Sequence, residues 1–516
     1  SFQDKTLPLE KCGDFSCDSK LFEKMFSVCE HTLRCCVFPH TQGNSTFDLQ
    51  GEKNREFALN WHGKYSDYVI VDGARRDREV WVGDLYPEIR NVWALFRNKE
   101  VIRNTFDVIL DQIREDGFIP ASSISMQVFY EYNCWFLIVL EDYLKVSGDT
   151  DFYLEHLEKV RAILRFILTI LEDGCLDLGK MQTWAWTSSR HGKITSSNCV
   201  LYAALKAAAR MEKNLGKDLA SAQNCEALAA LSASTAAVSP ARCRLSCLWR
   251  CWMSSRPVWK PSSARAAIFC RTRRCCSSAR SRWRFSSDAA ALAVLFGVCE
   301  QQDRKKVLSA LCEKFKTPYG MLLYYPKEEP DGQNFVHNDH VWPFVNTLVL
   351  EALLENGQTE QALPLLQSVW GTMLQNGADT FWEIIDGNFG TFMRTRLNDP
   401  PDDRDTWNSE CHGWSAGLPY LFFTYFAGVR PVEYGYQSIE FSPVCAGLND
   451  VRAVVPAANG EIRVSIYKDA DGVRRAELVC PESTQVGWKR NVAHLDTAPA
   501  RENGYTVYSF LLKEQV

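Results

Sequence analysis

Residues 72–84, DGARRDREVWVGD, place four carboxylates, three arginines and a tryptophan in thirteen positions of an otherwise averagely charged chain. Buried charge is costly unless paired, so such a cluster lies on a wet surface or lines a working cleft. A solvated turn laced with ion pairs is the bland reading. A second carboxylate stretch stands far downstream, in 377–383, GADTFWE, where Glu383 follows Trp382. Beyond it comes 408–414, NSECHGW, with His412 close to Trp414. Two carboxyl groups flanking a bond, one protonated and one ionised, are the minimal equipment for hydrolysing a glycosidic bond through an oxocarbenium-like transition state. Each stretch alone is weak, since Glu beside Trp at a helix end is usually structural. Their combination and order make the signal specific.

The rest of the chain must hold these groups together. Apolar residues recur every three to four positions over 19–36, 86–98, 99–115, 127–146, 151–172, 196–213, 288–297, 303–315, 341–355, 358–374 and 411–427, with Gly, Asp or Pro between. Ten or more successive amphipathic helices suggest a helical toroid or solenoid rather than a bundle. Residues 40–66 read as a polar loop leading into the acidic cluster. From 437 onward the period falls to two, in QSIEFSP, IRVSIYK and YTVYSFLL, with turn signals at Asp471-Gly472 and Asn503-Gly504. A small antiparallel sheet domain is therefore expected to close the chain.

The composition, with 46% hydrophobic and 12% aromatic residues, is that of a globular protein with a substantial core. Sixteen tryptophans are many. Indoles serve as platforms for sugar rings, although most are core in any protein. A formal charge of -5 argues against nucleic acid or an anionic membrane as partner. Neither a membrane span nor a signal-peptide core stands out, and the scattered cysteines read as reduced thiols, so a cytoplasmic setting is expected. No ligand cluster asks for a metal, and no cofactor is expected.

One segment fits none of these patterns. Between Glu226 and Asp288 there is no Asp, Glu or Gly, while Arg, Ser, Ala and Cys dominate. Basic nucleic-acid arms are Lys-rich and poor in Trp and Cys, unlike this stretch. Coding DNA read out of frame gives such enrichment, so 218–287 is expected to lie between two compensating frameshifts and to be poorly ordered. A resequenced gene showing the segment in frame would refute that.

At this point the sequence resembles the inverting α-L-rhamnosidases of glycoside hydrolase family 78, members of the six-hairpin glycosidases. The family pattern D-x-x-x-R-[E/D]-R-x-x-W-x-G-D matches 72–84 position by position. GADTFWE, CHGW and the junction VRPVEYGYQSIEFSP match in the second half. The resemblance runs over roughly 16–215, 286–430 and 431–516. It implies a mainly α fold, an (α/α)6 six-hairpin barrel followed by a small C-terminal antiparallel β-sandwich. The implied organisation is a lead over 1–18, irregular in pattern, a catalytic barrel over 19–430 and the sandwich over 431–516.

Carried across residue by residue, the general acid falls on Asp77 and the general base, which activates water, on Glu383. Sugar-hydroxyl ligands fall on Asp72, Arg76 and Asp84. Trp81 and Trp382 shape the sugar site, His412 matches a subsite histidine, and Trp186 is a further wall. The acid position is more often Glu in the family, which leaves Glu79, two positions late in the pattern, as the alternative to Asp77. The implied partner is a rhamnose-containing glycoside or oligosaccharide. Assembly is left open, a homodimer included. The competing readings are a six-hairpin glycosidase for another sugar and an inactive carbohydrate-binding relic. Phosphorylase and lyase readings lack, respectively, a phosphate-pocket motif and an account of the paired carboxylates.

Overall fold

The computed structural model describes residues 9–39, 68–74, 77–124, 127–179, 192–238, 285–325, 339–393, 408–444, 447–489 and 492–513. Its helices are α1 (Lys20–Cys35), α2 (Leu85–Phe96), α3 (Lys99–Leu110), α4 (Tyr130–Ser147), α5 (Thr150–Glu155), α6 (Leu157–Thr169), α7 (Thr195–Met211), α8 (Leu219–Val238), α9 (Ser287–Leu295), α10 (Gln301–Lys314), α11 (Pro343–Glu355), α12 (Thr359–Leu366), α13 (Thr372–Gln375) and α14 (Leu418–Leu421).

Two kinds of helix alternate along the chain. Every residue of α2 is buried, as is all of α11 but Glu355. Helices buried all round belong to an inner layer. By contrast α3, α6 and α10 bury one stripe and leave the other side in water. Each inner helix packs on the next, α2 on α4, α4 on α7, α7 on α9 and α9 on α11. From α11 the contacts pass to the turn at Gly413–Ser415, and that turn and α14 pack back on α2. Outer helices sit behind them in pairs, α3 behind α2, α6 behind α4, α8 behind α7, α10 behind α9, α12 behind α11 and α1 behind α14. The molecule is thus mainly helical, built of hairpins in two layers.

Local sequence explains the ends. Asn98 caps α3 by accepting the Val101 N–H at 2.9 Å, and Pro343 starts α11 where no amide donor is needed. Three expected helices are interrupted. The stripe over 151–172 breaks at His156 into α5 and α6. That over 358–374 becomes α12, a wider turn at Gln367–Gly371, and α13. The stretch 411–427 forms a tight turn at Gly413–Ser415, the four-residue α14 and a wide turn over Phe422–Phe426, because His412 is extended.

The C-terminal region is a sheet region, as its period of two requires. Its strands, numbered after β1 (Asp14–Cys17), β2 (Val37–Pro39), β3 (Tyr68–Ile70), β4 (His340–Val341) and β5 (Ile385–Asp386), are β6 (Val429–Pro431), β7 (Ser438–Phe441), β8 (Val451–Ala457), β9 (Gly460–Lys468), β10 (Arg474–Pro481), β11 (Gln485–Trp488), β12 (Val492–Leu495), β13 (Ala500–Glu502) and β14 (Tyr505–Leu512). A seven-stranded sheet runs β1-β8-β9-β10-β14-β12, with β13 also on β14. A second sheet runs β6-β7-β11, and its β7–β11 pair is parallel. Both turn signals sit where expected, and Asn503 and Gly504 both take the positive φ a tight hairpin turn needs.

Two expectations need correction. Residues 14–17 are not irregular: they form β1, which pairs antiparallel with β8 from the other end of the chain. Second, the segment 218–287, expected to be poorly ordered, begins as a helix. Helix α8 packs on α7 and buries Ala222, Cys225, Ala229 and Ser232. Residues 239–284, the greater part of that segment, lie outside the described residues, and so does the expected loop over 40–66. No helix among the described residues is long and apolar enough to cross a membrane.

Candidate active site

The acidic cluster forms a loop between β3 and α2, and one carboxylate shapes it. Asp72 accepts the Asp77 N–H at 3.2 Å on Oδ2 and the Glu79 N–H at 3.1 Å on Oδ1. Between those donors Arg78 takes the left-handed conformation, φ 58°. A side-chain-bearing residue rarely does so without compensation, and strain of this kind clusters at working sites. The outcome is a fold-back that buries Asp77 and Glu79 together. Glu79 Oε2 accepts the Ile124 N–H at 2.9 Å, which ties the loop to the segment ahead of α4.

After the fold-back the chain enters α2 through Trp81-Val82-Gly83-Asp84. Trp81 is buried, stacked on Phe129 at 6.2 Å and edge-on to Tyr132 at 6.4 Å between centroids. Gly83 is required by contact, because a Cβ there would lie 2.6 Å from the Tyr132 ring. Asp84 occupies the N-cap position of α2 but makes no capping bond. Its carboxylate points instead to His412, with Oδ2 3.3 Å from Nε2.

The second carboxylate is positioned by α1. Thr32 Oγ1 accepts the Phe381 N–H at 2.9 Å and donates to the Val28 carbonyl. That anchors the extended run Phe381-Trp382-Glu383. Glu383 Oε2 accepts the Ser409 N–H at 2.6 Å, and the two backbones also pair. His412 Nδ1 lies 4.0 Å from the same Oε2. The imidazole packs on Trp414 at 4.4 Å, and Trp414 donates its indole N–H to the Glu383 carbonyl at 3.2 Å.

The two stretches meet. Gly73 bridges to His412, the Ala74 N–H reaches the Cys411 carbonyl at 3.2 Å, and the Gly413 N–H reaches the Asp72 carbonyl at 2.6 Å. His412 stands between Asp84 of one stretch and Glu383 of the other. Asp72, Asp77, Asp84, Trp81, Trp382, Glu383 and His412 are all at most 8% exposed, so acids from distant parts of the chain are gathered in a largely water-excluded place. Arg76 and Trp186 lie outside the described residues.

Sequence reasoning passed over Ser409, whose contribution is a backbone N–H, and Glu88. The latter, one turn into α2 from Asp84, is fully buried, and among the described residues neither carboxyl oxygen has a hydrogen-bond partner. Burial, reinforced by Asp84, pushes its carboxyl well above the ordinary glutamate range. No group of His, Cys, Asp and Glu that could hold a metal ion occurs among the described residues.

Residues 60–235 match the family described as the bacterial α-L-rhamnosidase six-hairpin glycosidase domain. Among solved structures, the family 78 rhamnosidase of Bacillus sp. GL1 superposes over 94% of this chain and 43% of its own, at 19% identity and a TM-score of 0.66. The Streptomyces avermitilis α-L-rhamnosidase, solved with L-rhamnose, superposes over 98% and 42%, at 16% identity and 0.61. The Dictyoglumus thermophilum α-L-rhamnosidase does so over 98% and 51%, at 14% identity and 0.63. The chain thus spans about half or less of the length of these proteins. A search of curated proteins finds no match. The resemblance read from the motifs therefore holds, in the family match over 60–235 and in a shared fold over nearly the whole chain.

Proposed function

We propose that this protein is an inverting glycoside hydrolase that cleaves terminal α-L-rhamnosides. The observation that carries the reading is the meeting of two carboxylate stretches through His412, within a domain similar to the rhamnosidase six-hairpin domain. The alternating inner and outer helices are read as the six hairpins of an (α/α)6 barrel, and the two C-terminal sheets as the sandwich behind it.

In this reading Asp77 donates a proton to the leaving oxygen while Glu383 takes one from the attacking water. Inversion needs these carboxyls about 6.5–9.5 Å apart, so that water fits beneath the sugar. Asp77 takes the acid role because it stands at the family pattern's acid position, while Glu79, two positions later, accepts the Ile124 amide. Asp72, Arg76 and Asp84 bind sugar hydroxyls, Trp81, Trp382 and Trp186 wall the ring, and His412 binds in the same subsite. Backbone donation from Ser409 to Glu383 fixes the orientation of the base, which is worth more in a dry site than in water.

The test is release of p-nitrophenol from p-nitrophenyl α-L-rhamnoside, with Glu383→Gln and Asp77→Asn as controls and NMR of the first-formed anomer. Turnover that both substitutions abolish, with the inverted anomer formed first, supports the reading. Retention of configuration would overturn the mechanism. A folded chain that binds L-rhamnose without turnover would favour the carbohydrate-binding relic.

A further inference from the structure

We propose that Glu88 is a positioning residue of this site, a neutral carboxylic acid wedged against the Gly413 backbone that sets how His412 stands toward Asp84. The inference rests on the site reading above and adds a residue that reading does not use.

Glu88 lies one helical turn after Asp84, so the two carboxyls project from one face of α2. Across from it is Gly413, where a Cβ would sit 2.1 Å from Glu88 Oε1, 2.9 Å from its Cδ and 3.2 Å from its Cγ. All three nearest obstacles at Gly413 are thus atoms of the one side chain. The residue before Gly413 is His412, and the Gly413 N–H holds the Asp72 carbonyl. Glu88 therefore fills the space that fixes the height of this turn over α2.

Its charge state follows from its surroundings. Among the described residues, the titratable groups around it are Asp84 on the same helix, Cys36 at the end of α1, and His412, the neighbour of Gly413. Arg90, the one cation on α2, is committed to Glu351, with Asp142 3.9 Å away. A fully buried carboxylate beside Asp84, with no donor among the described residues, is costly, so the group keeps its proton. Of the two carboxyls on this face, Asp84 is the one that faces His412, with Oδ2 3.3 Å from Nε2.

Two sets of variants of the full chain test this. In the first, melting temperature is followed against pH for wild type and Glu88→Gln. Unfolded Glu88 ionises near its ordinary value of 4.5, whereas folded Glu88 stays neutral. Its contribution to stability is therefore complete below pH 4.5 and is lost as pH rises toward the raised folded value. The amide has no such loss, so the melting temperature of Glu88→Gln relative to wild type must climb from pH 4.5 to 8. A flat or falling difference would mean an ionised, paired Glu88 and would overturn the proposal.

In the second, Gly413→Ala is compared with Gly413→Ala/Glu88→Ala. The added methyl collides with the carboxyl and displaces His412. It should cost about 10- to 100-fold in kcat on the aryl rhamnoside and shift the His412 imidazole titration, assigned in NMR by its absence in His412→Asn. The double variant should recover both. Recovery of melting temperature alone would make Glu88 a packing neighbour and refute a positioning role. The imidazole and melting readouts need no turnover, so a failed rhamnosidase assignment stays distinguishable from a failed Glu88 assignment.

Discussion

Helix α2 carries two charged regions that are equally dry and differently built. Near its middle, Arg90 forms a two-pronged pair with Glu351 of α11, at 2.9 and 3.1 Å, and Tyr86 donates to the same carboxylate at 3.1 Å. The guanidinium is sandwiched by Tyr86 and Tyr420 at 4.0 and 4.5 Å. Near its start, Asp84 faces His412 at 3.3 Å, and His412 faces Glu383 at 4.0 Å. There Asp72 and Glu383 each accept backbone amides. Arg90 and Glu351 satisfy each other and stitch two inner helices. The carboxyls at the helix start are instead oriented by backbone amides and by the imidazole of His412.

The largest expected effect tests that division at the site. Glu383→Gln keeps the shape and the Ser409 contact but removes the proton acceptor. It should lower kcat by about 10²–10⁴-fold while leaving the melting temperature unchanged or raised. A large fall in stability instead would mean that Glu383 is structural, and the contrast with Glu351 would disappear.

Glu351→Ala should do the opposite, because it strands Arg90 and the Tyr86 hydroxyl in the core. Loss of one partner of a buried pair costs about 3–5 kcal/mol, read by urea unfolding. Replacing both Arg90 and Glu351 with apolar residues of similar volume should recover much of it. If the single and double changes cost the same, the pair is not a closed unit.

How much of the molecule is legible in its sequence depends on the physics of each part. Helical stripes and two-residue alternation are local, so most helices and the strands β7, β9 and β14 can be read from period alone. The Asn503-Gly504 hairpin is legible because few residues accept its dihedrals. Strand β1 is not, since four residues carry too little period and their partner lies at the far end of the chain. Residues 72–84 and Glu383 stand out through residue type and motif. Ser409 acts through its backbone, which no side chain announces, and Glu88 looks like any glutamate in an amphipathic row. Its isolation exists only because Gly413 is folded against it.

A third test moves to Asp149, at the start of α5. Its carboxylate is held by Arg103 at 2.7 Å, Lys99 at 2.8 Å and the Tyr143 hydroxyl at 2.6 Å. Although burial alone would raise its pKa, bonds from Arg103, Lys99 and Tyr143 outweigh it and bring it down to about 2. A depressed carboxylate contributes stability that is present above the unfolded value of 3.8 and is lost as pH falls toward about 2. With both cations partly in water the contribution is about 1–2 kcal/mol. Asp149→Asn should therefore destabilise at pH 7 and match wild type near pH 2. An equal deficit at both pH values would assign the effect to packing.

The smallest effect concerns a group that belongs to neither charged region. Asn98 caps α3 through the Val101 N–H, directly after Arg97 closes α2 in a left-handed conformation, φ 48°. The reversal between inner and outer helix is thus made by one strained residue and one cap. Replacement of Asn98 by Ala removes only the cap and should cost about 1 kcal/mol. Because α3 is an outer helix, the loss should appear in the unfolding midpoint with kcat and KM unchanged. A change in kcat would instead mean that the outer layer transmits its packing to the Asp84 end of α2, and that the site is less insulated from the helices behind it than the separate anchoring of its carboxyls implies.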